Sequence, residues 1–127
     1  MFFVRILCMF EKKSTMNFDW TKELNCAITV CDTDGIVLSM NEKAGKTFEK
    51  WGGLEMIGKC LFDCHNENSV AAIKSMITEN RSNTYTIEKN GIKKLIYQTP
   101  WYSDGEVAGM VEFSIEIPFE MPHFVRS

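Results

Sequence analysis

The densest cluster of reactive side chains in this 127-residue sequence is Cys60-Leu61-Phe62-Asp63-Cys64-His65. Two thiols and one imidazole are ligands that zinc accepts, but a structural zinc site needs four ligands and no fourth stands nearby. The spacing Cys-x3-Cys-His is one residue longer than the attachment motif of c-type haem. We therefore predict no metal site. Non-covalent haem through His65 is an alternative, because a neutral imidazole binds haem iron. The interpretation we favour is that His65 hydrogen-bonds the backbone where a helix begins.

A second group of residues could line a ligand pocket. Such a site needs apolar walls with a few polar groups that fix the orientation of the ligand. Methionine suits these walls because its side chain is flexible and polarisable. We predict that His65 and Gln98 make the polar contacts, and that the ligand-binding residues are Met40, Phe48, His65, Met76, Ile77, Ile96, Gln98 and Phe113. The alternative is that the apolar members fill a core without a cavity.

Enzymatic motifs are weak throughout the chain. Cys64 and His65 are adjacent in sequence, so their side chains need not converge as a catalytic triad requires. Asp63 and Glu67 are close enough to form a carboxylate pair, but acidic residues are common where a helix begins. The sequence contains neither a P-loop nor a Gly-x-Gly-x-x-Gly motif. We therefore predict a binding protein rather than an enzyme.

Composition and charge restrict the setting and the partners. The formal net charge of −3 and the scattered basic residues argue against nucleic-acid binding. Five cysteines without a dense framework favour reduced thiols, and so the cytoplasm. Residues 1–10 are apolar but shorter than the roughly 20 residues that span a membrane. Their lysines follow the apolar stretch, whereas a secretory signal carries them in front. We expect residues 1–15 to be a disordered or loosely docked leader, with no membrane partner.

The last third of the sequence predicts three antiparallel strands at residues 84–88, 92–102 and 107–117. Asn90-Gly91 and Asp104-Gly105 favour tight hairpin turns, because these residues tolerate positive φ. The third strand alternates with period two, which is typical of a half-buried strand. One of its faces carries the apolar side chains of Val107, Val111, Phe113, Ile115 and Ile117 together with Gly109.

The first two thirds predict a hairpin followed by helices. Strands at 27–31 and 36–40 flank a turn, and Asn41 is a suitable cap for a short helix over 42–50. The strongest helical periodicity lies in residues 66–80, where apolar residues recur at spacings of three and four. Residues 16–25 fit a short amphipathic helix. Strands and helices segregated in this way predict an α+β fold.

This order of elements resembles the PAS domain family from Leu24 to Pro118. Four features carry the resemblance: the opening hairpin 28–37, Asn41 before the first short helix, the segment Glu55-Met56-Ile57-Gly58-Lys59, and the closing hairpin 104–113. The segment 63–69 also resembles a subset of bacterial PAS domains with a Cys-His pair at this point. The resemblance implies a five-stranded antiparallel sheet flanked by short helices. It also implies a small ligand between the inner sheet face and the helix 66–80.

The resemblance further implies a bacterial sensory module for signal transduction, since family members are mostly sensory modules attached to output domains. Because this sequence has no room for an output domain, we expect a stand-alone module. PAS domains commonly pair through an N-terminal helix, which here would be 16–25, followed by the PAS-like domain 26–118 and a tail 119–127. We expect a homodimer with Phe18, Trp20, Leu24, Trp101 and Tyr102 at its interface, and output through a separate protein. The alternatives are a ligand-free dimerisation module and a haem-based gas or redox sensor.

A flavin is not expected as the cofactor. The string Gly58-Lys59-Cys60-Leu61-Phe62-Asp63 resembles the cysteine segment of flavin-based light sensors. Its cysteine stands one position early, however, and the polar residues that contact flavin in those sensors are missing.

Overall fold

A computed structural model describes residues 18–63 and 65–127, and shows an α+β fold built on one antiparallel sheet. Residues 1–17, which include the predicted leader 1–15, and Cys64 lie outside the described residues. The sheet order is β2-β1-β5-β4-β3. The strands are β1 (Ala27–Asp32), β2 (Val37–Met40), β3 (Asn83–Lys89), β4 (Ile92–Ser103) and β5 (Glu106–Ile117). The predicted five-stranded antiparallel sheet flanked by short helices is confirmed.

Two α-helices and three 3-10 segments connect β2 to β3 in the described chain. The helices are α1 (Glu42–Thr47) and α2 (Glu67–Glu79), and the 3-10 segments are Glu49–Trp51, Gly53–Met56 and Leu61–Asp63. The single helix predicted over 42–50 is therefore divided. The helix predicted over 66–80 is confirmed, with the Asn66 side chain accepting a hydrogen bond from the Ser69 amide (2.8 Å) at its start. Asn80 ends it in the left-handed conformation (φ 51°).

The two closing hairpins have the turns that the sequence predicts. Asn90 and Gly91 take φ values of 53° and 77°, and Asp104 and Gly105 take 51° and 81°. Positive φ at both central residues matches the twist of the flanking strands. Each strand is only one or two residues longer than predicted.

A β-bulge interrupts the pairing of β4 with β5 shortly after the second turn. Tyr102 lies opposite Val107, but the next residue, Trp101, lies opposite Gly109. Ala108 is therefore an extra residue on β5. A one-residue shift exchanges the two faces of a strand relative to its partner. Every β5 side chain beyond the bulge therefore faces the opposite way to what a regular hairpin would give.

The side chain of Asn41 joins the N-terminal segment, β1 and α1. Its Oδ1 accepts hydrogen bonds from the amides of Ile28 and Ala44, each at 3.0 Å. Its Nδ2 donates to the carbonyl oxygens of Thr21 (2.9 Å) and Cys26 (2.7 Å). These four hydrogen bonds are made by a buried side chain, since Asn41 is only 4% exposed. The predicted cap is confirmed, and it also orders the chain before β1.

The helix predicted over 16–25 does not form in its described part. Asp19 accepts a hydrogen bond from the Thr21 amide (3.0 Å), which closes a local turn. The carbonyls of Thr21 and Lys22 then accept from the Asn41 side chain and from the Glu42 amide (3.1 Å). These partners are distant in sequence, so a local helical pattern could not reveal them.

The hydrophobic core lies between the inner face of the sheet and the connecting helices. Ile73 and Met76 on α2 face this core, which places α2 across the inner face as predicted. The buried cluster consists of Ala27, Cys31, Val37, Met40, Ala44, Met56, Leu61, Ile73, Met76 and Met110. Residues 119–127 follow β5 as an exposed tail without helix or strand. No helix in the described chain is long and apolar enough to cross a membrane.

Candidate functional site

Four polar side chains form a row across the inner face of the sheet. Thr29 lies directly opposite Glu112, Glu112 opposite Gln98, and Gln98 opposite Asn83. Residues directly opposite each other in antiparallel strands place their side chains on the same face. With neighbouring strands about 4.8 Å apart, the row spans about 14 Å. We call these four residues the polar row.

Hydrogen bonds within the polar row are directed towards Glu112. Asn83 Nδ2 donates to Gln98 Oε1 at 3.4 Å, and Gln98 Nε2 donates to Glu112 Oε2 at 2.7 Å. Burial raises the pKa of the Glu112 carboxyl, although the Gln98 hydrogen bond and nearby His65 act in the opposite direction. Glu112 makes no ion pair with any residue that the structure describes. Glu112 is thus an enclosed carboxyl group that forms no ion pair within the described chain.

The hydroxyl of Thr29 occupies the next position in the row. Thr29 is 7% exposed, and its Oγ1 has no hydrogen-bond partner among the described residues. A buried polar atom left unpaired costs about 1–3 kcal/mol. The hydroxyl borders a cavity of about 30 Å³, which it shares with Glu112, Ile73 and Met110. That volume holds about one water molecule.

A larger groove opens beside this cavity, between α2 and strands β3, β4 and β5. Its volume is about 460 Å³, within the range of roughly 300–1,000 Å³ that is usual for small-molecule sites. The side chains shared by cavity and groove are Phe48, His65, Ile73 and Glu112. Glu112 therefore lies where the groove meets the cavity. The remaining lining residues are Thr47, Trp51, Ser69, Ala72, Asn83, Tyr85, Ile87, Lys89, Lys94, Ile96, Gln98 and Ser114.

The structure brings half of the predicted ligand-binding residues together in the groove. Phe48, His65, Ile96 and Gln98 line it. Met40 and Met76 are instead members of the buried core, and neither lines the groove. The predicted contribution of methionine to an adaptable wall is therefore not seen there. These two side chains fill space beneath the groove.

Ile77 and Phe113 also lie outside the groove. Ile77 borders a separate surface depression beside Phe62 and Lys74. Phe113 sits between Glu112 and Ser114, which both line the groove, so it belongs to the opposite face of β5. Its ring stacks on Tyr97 with centroids 6.4 Å apart.

The β-bulge explains why the prediction for Phe113 needs correction. Without the extra residue Ala108, Val111 would lie opposite Gln98 and Phe113 opposite Ile96. With it, Glu112 takes the position opposite Gln98. The more apolar face of β5 is consequently turned away from the groove, and a carboxyl group is turned into it. An alternating pattern interpreted without a bulge could not show that Glu112 faces the groove.

His65 makes the backbone hydrogen bond that the sequence favoured. Its Nδ1 lies 2.9 Å from the Leu61 carbonyl oxygen, which can only accept, so Nδ1 carries the proton. The enclosed cavity beside it is far smaller than a porphyrin, and the polar Gln98 and Glu112 side chains form part of the groove that His65 lines. The residues in this arrangement do not fit a haem.

The structure offers no metal centre in residues 18–63 and 65–127. No three His, Cys, Asp or Glu side chains there are grouped closely enough to hold a metal ion. The described cysteines are Cys26, Cys31 and Cys60, of which Cys26 and Cys31 are free thiols. Burial raises the pKa of the Cys31 thiol, so this buried sulfur is a poor nucleophile.

Two of the predicted interface residues contribute to the fold of the chain itself. The Trp101 indole N–H donates to the Cys31 carbonyl oxygen at 2.9 Å, which ties β4 to β1. The Tyr102 hydroxyl donates to Asn80 Oδ1, which ties the end of β4 to the end of α2. Phe18, Trp20 and Leu24 are exposed, at 81%, 61% and 38%. A dimer interface at these positions stays a prediction.

The sheet order, the crossing α2 and the short helical segments define a PAS-like fold, and known structures agree. The chain resembles the Aer2 receptor of Vibrio cholerae, a dual PAS-heme oxygen sensor (TM-score 0.55, 16% identity, 73% of this chain and 95% of that one). It also resembles the PAS domain of the histidine kinase ThkA (TM-score 0.58, 16% identity, 72% and 99%). A third similar structure is VqmA bound to DPO (TM-score 0.63, 16% identity, 87% and 58%).

These likenesses establish the fold alone, because the sequence identities are low. The chain spans little more than half of the VqmA chain (58%). No protein-family model matches the sequence, and no curated protein matches it either.

Proposed function

We propose that this chain is a sensory PAS module that binds a small molecule in the groove between α2 and the inner sheet face. The observation that carries the proposal is the polar row: Asn83, Gln98 and Glu112 line a groove of ligand size, and the unpaired Thr29 hydroxyl borders the small cavity that adjoins it. In a core without a ligand site, buried side chains are usually apolar or have their polar atoms hydrogen-bonded. Binding, rather than catalysis, is the proposed activity.

The similar structures support this proposal. Aer2 is an oxygen sensor with haem, VqmA binds DPO, and ThkA is a histidine kinase with a PAS domain. These proteins use a PAS-like fold in sensing or signalling. The ligands differ among them, so the chemistry of this groove has to be derived from its own residues.

A ligand in the groove would touch α2 on one side and the sheet on the other. Ile73 and Ser69 belong to α2, while Gln98 and Glu112 belong to the sheet. The end of α2 is joined to Tyr102 through Asn80, and Tyr102 is 53% exposed. A ligand that favours one spacing of α2 from the sheet would therefore alter a surface position. The shift in population is limited by the difference in affinity for the two states.

The altered surface would act on a second copy of the chain or on a separate output protein. Phe18, Trp20 and Tyr102 give exposed aromatic area, which is typical of protein interfaces. The same exposed aromatics favour a second candidate function, that of a dimerisation module that needs no ligand. The two functions differ in whether the groove must be open for the protein to respond.

Thermal denaturation with a panel of bacterial metabolites tests the proposal. A compound that binds only the folded state stabilises it by about 2.7 kcal/mol at a concentration of 100 times its Kd. The matched variants are Ala72→Trp and Ala71→Trp. Both alanines are exposed on α2, but Ala72 lines the groove and Ala71 borders a separate depression.

We expect at least one compound to raise the Tm of the wild type and of Ala71→Trp but not of Ala72→Trp. Stabilisation that survives in Ala72→Trp would place the ligand elsewhere. If no compound stabilises the protein while sedimentation shows a tight dimer, the ligand-free dimerisation module is the better account.

A further inference from the structure

Two polar side chains, Glu112 of the groove and Thr29 of the small cavity that adjoins it, point to the class of ligand. They lie directly opposite each other on β5 and β1, so their Cβ atoms are about 4.5–5.5 Å apart. The Glu112 carboxyl has one oxygen, Oε2, bonded to Gln98. The Thr29 hydroxyl oxygen has no partner among the described residues. Two neighbouring groups that can accept hydrogen bonds, one a carboxyl and one a hydroxyl, thus border the same small cavity.

We propose that the groove selects a small planar molecule with two adjacent N–H donors, such as an amidine or an amino-substituted nitrogen heterocycle. One N–H donates to the Glu112 carboxylate and the other to Thr29 Oγ1. The proposal rests on the proposed function, because it concerns the same groove. It adds the chemical class of the ligand and the two residues that would hydrogen-bond to it.

The surrounding charges favour a donor-rich ligand over an anion. Lys94 is the nearest lysine along β4, but it lies four positions before Gln98 of the polar row. At about 3.3 Å per residue the backbone positions of Lys94 and Gln98 are about 13 Å apart, and Lys94 makes no ion pair with Glu112 in the described chain. No described lysine forms an ion pair with Glu112, and the basic side chain near it is His65, which lowers the pKa of the carboxyl. A carboxylate ligand would meet like charge, whereas a cationic or N–H-rich ligand would supply the missing partner.

The apolar walls favour a planar ring. Phe48 and Ile73 line both the groove and the inner cavity, on the side opposite the polar row. A flat ring between them and the sheet would bury its faces on apolar side chains. Its edge would then point at Glu112 and Thr29. A flexible, fully polar molecule would leave these walls without a partner.

The experiment compares benzamidine with benzoate, two probes of the same shape and opposite charge. Each is titrated into the ¹⁵N-labelled full chain at neutral pH, and amide chemical shifts are followed. We expect benzamidine to shift the amides of Thr29 and Glu112 with a saturating dependence, and benzoate to leave them unchanged. A charge-assisted hydrogen bond contributes roughly tenfold or more in affinity. Glu112→Gln should therefore weaken benzamidine at least tenfold.

The controls separate the two acceptors from a general effect of charge. Glu116→Gln removes a carboxylate from the same strand, but Glu116 is exposed, pairs with Lys43 (3.7 Å) and does not line the groove. It should leave benzamidine binding unchanged. Thr29→Val keeps the shape of the second acceptor, and should weaken binding even if Glu112→Gln fails to fold.

Two outcomes would overturn the ligand class. In the first, benzoate shifts the groove amides as strongly as benzamidine, or Glu112→Gln and Thr29→Val bind benzamidine like the wild type. The groove would then bind ligands without selecting for N–H donors, and the proposed function would stand. In the second, neither probe shifts these amides. The metabolite panel with Ala72→Trp then decides the proposed function separately.

Discussion

At Gly109, adding a single methyl group should destabilise the strand pairing that positions the site. It follows the extra residue of the β-bulge, and lies opposite Asp32 on β1 and Trp101 on β4. A Cβ atom at this position would be 1.9 Å from the Cys31 carbonyl oxygen and 2.8 Å from the Asp32 Cα. Both are backbone atoms, so no side-chain rotation relieves the overlap. Gly109→Ala must therefore push β1 and β5 apart.

The expected loss of stability has two sources. Inserting a methyl group into a packed region costs about 1–3 kcal/mol. The φ of Gly109 is 154°, and backbone regions that only glycine adopts easily cost a further 1–3 kcal/mol, roughly, for another residue. The sum is about 2–6 kcal/mol, a large part of the roughly 5–15 kcal/mol that stabilises a domain. For a domain of about 100 residues this lowers the Tm by about 10 °C or more.

Thermal and urea denaturation of Gly109→Ala and Gly58→Ala measure this loss. Gly58 also has a positive φ (90°), but a Cβ atom there would meet no heavy atom within 4 Å. The control therefore contains the backbone strain, about 1–2 kcal/mol, without the collision. The difference between the two variants isolates the close approach of β5 to β1.

Equal stability of the two variants would refute this reasoning. It would mean that β5 can move away from Cys31 at little cost. The bulge would then not be held by the contact, and the position of Glu112 opposite Gln98 would not be fixed by it either.

Three further predictions concern residues that support the site. Asn41→Ala should lower the free energy of unfolding by about 3 kcal/mol or more in urea denaturation, because it leaves buried backbone groups without their partner. Trp101→Phe should cost about 1 kcal/mol in the same assay, since the Cys31 carbonyl loses its indole donor. Unchanged stability in either variant would contradict the assigned contact. Burial raises the folded-state pKa of Glu112 above its ordinary value of 4.5, so the folded protein keeps this proton to higher pH than the unfolded chain. The stability of the wild type relative to Glu112→Gln should therefore be greatest below pH 4.5 and fall as the pH rises through the folded-state pKa. A relative stability that rises over that range would show that the carboxyl is not enclosed.

Local signals in the sequence predicted the elements well. Asn90-Gly91 and Asp104-Gly105 fixed the closing hairpins because positive φ is a property of these residues themselves. Asn41 and Asn66 marked helix starts because their side chains bond to amides three residues ahead. Counting back from the first of these turns would also have placed Asn83 opposite Gln98.

The parts of the candidate site that sequence reasoning missed depend on contacts between distant residues. Glu112 faces the groove only because the bulge inserts Ala108, and that bulge accompanies the close approach of Gly109 to β1. The described part of the predicted N-terminal helix is replaced by a turn because Asn41 and Glu42 take its carbonyl groups. Neither event follows from periodicity within one segment.

Intermolecular nuclear Overhauser effects give the most direct test of ligand binding in the inner-face groove. The ligand would be the compound that most stabilises the full chain in the metabolite panel. The account predicts contacts from its protons to Ile73 and Ile96, which line the groove from α2 and β4. Contacts to Phe113 on the other face of the sheet, with none to Ile73 or Ile96, would contradict it.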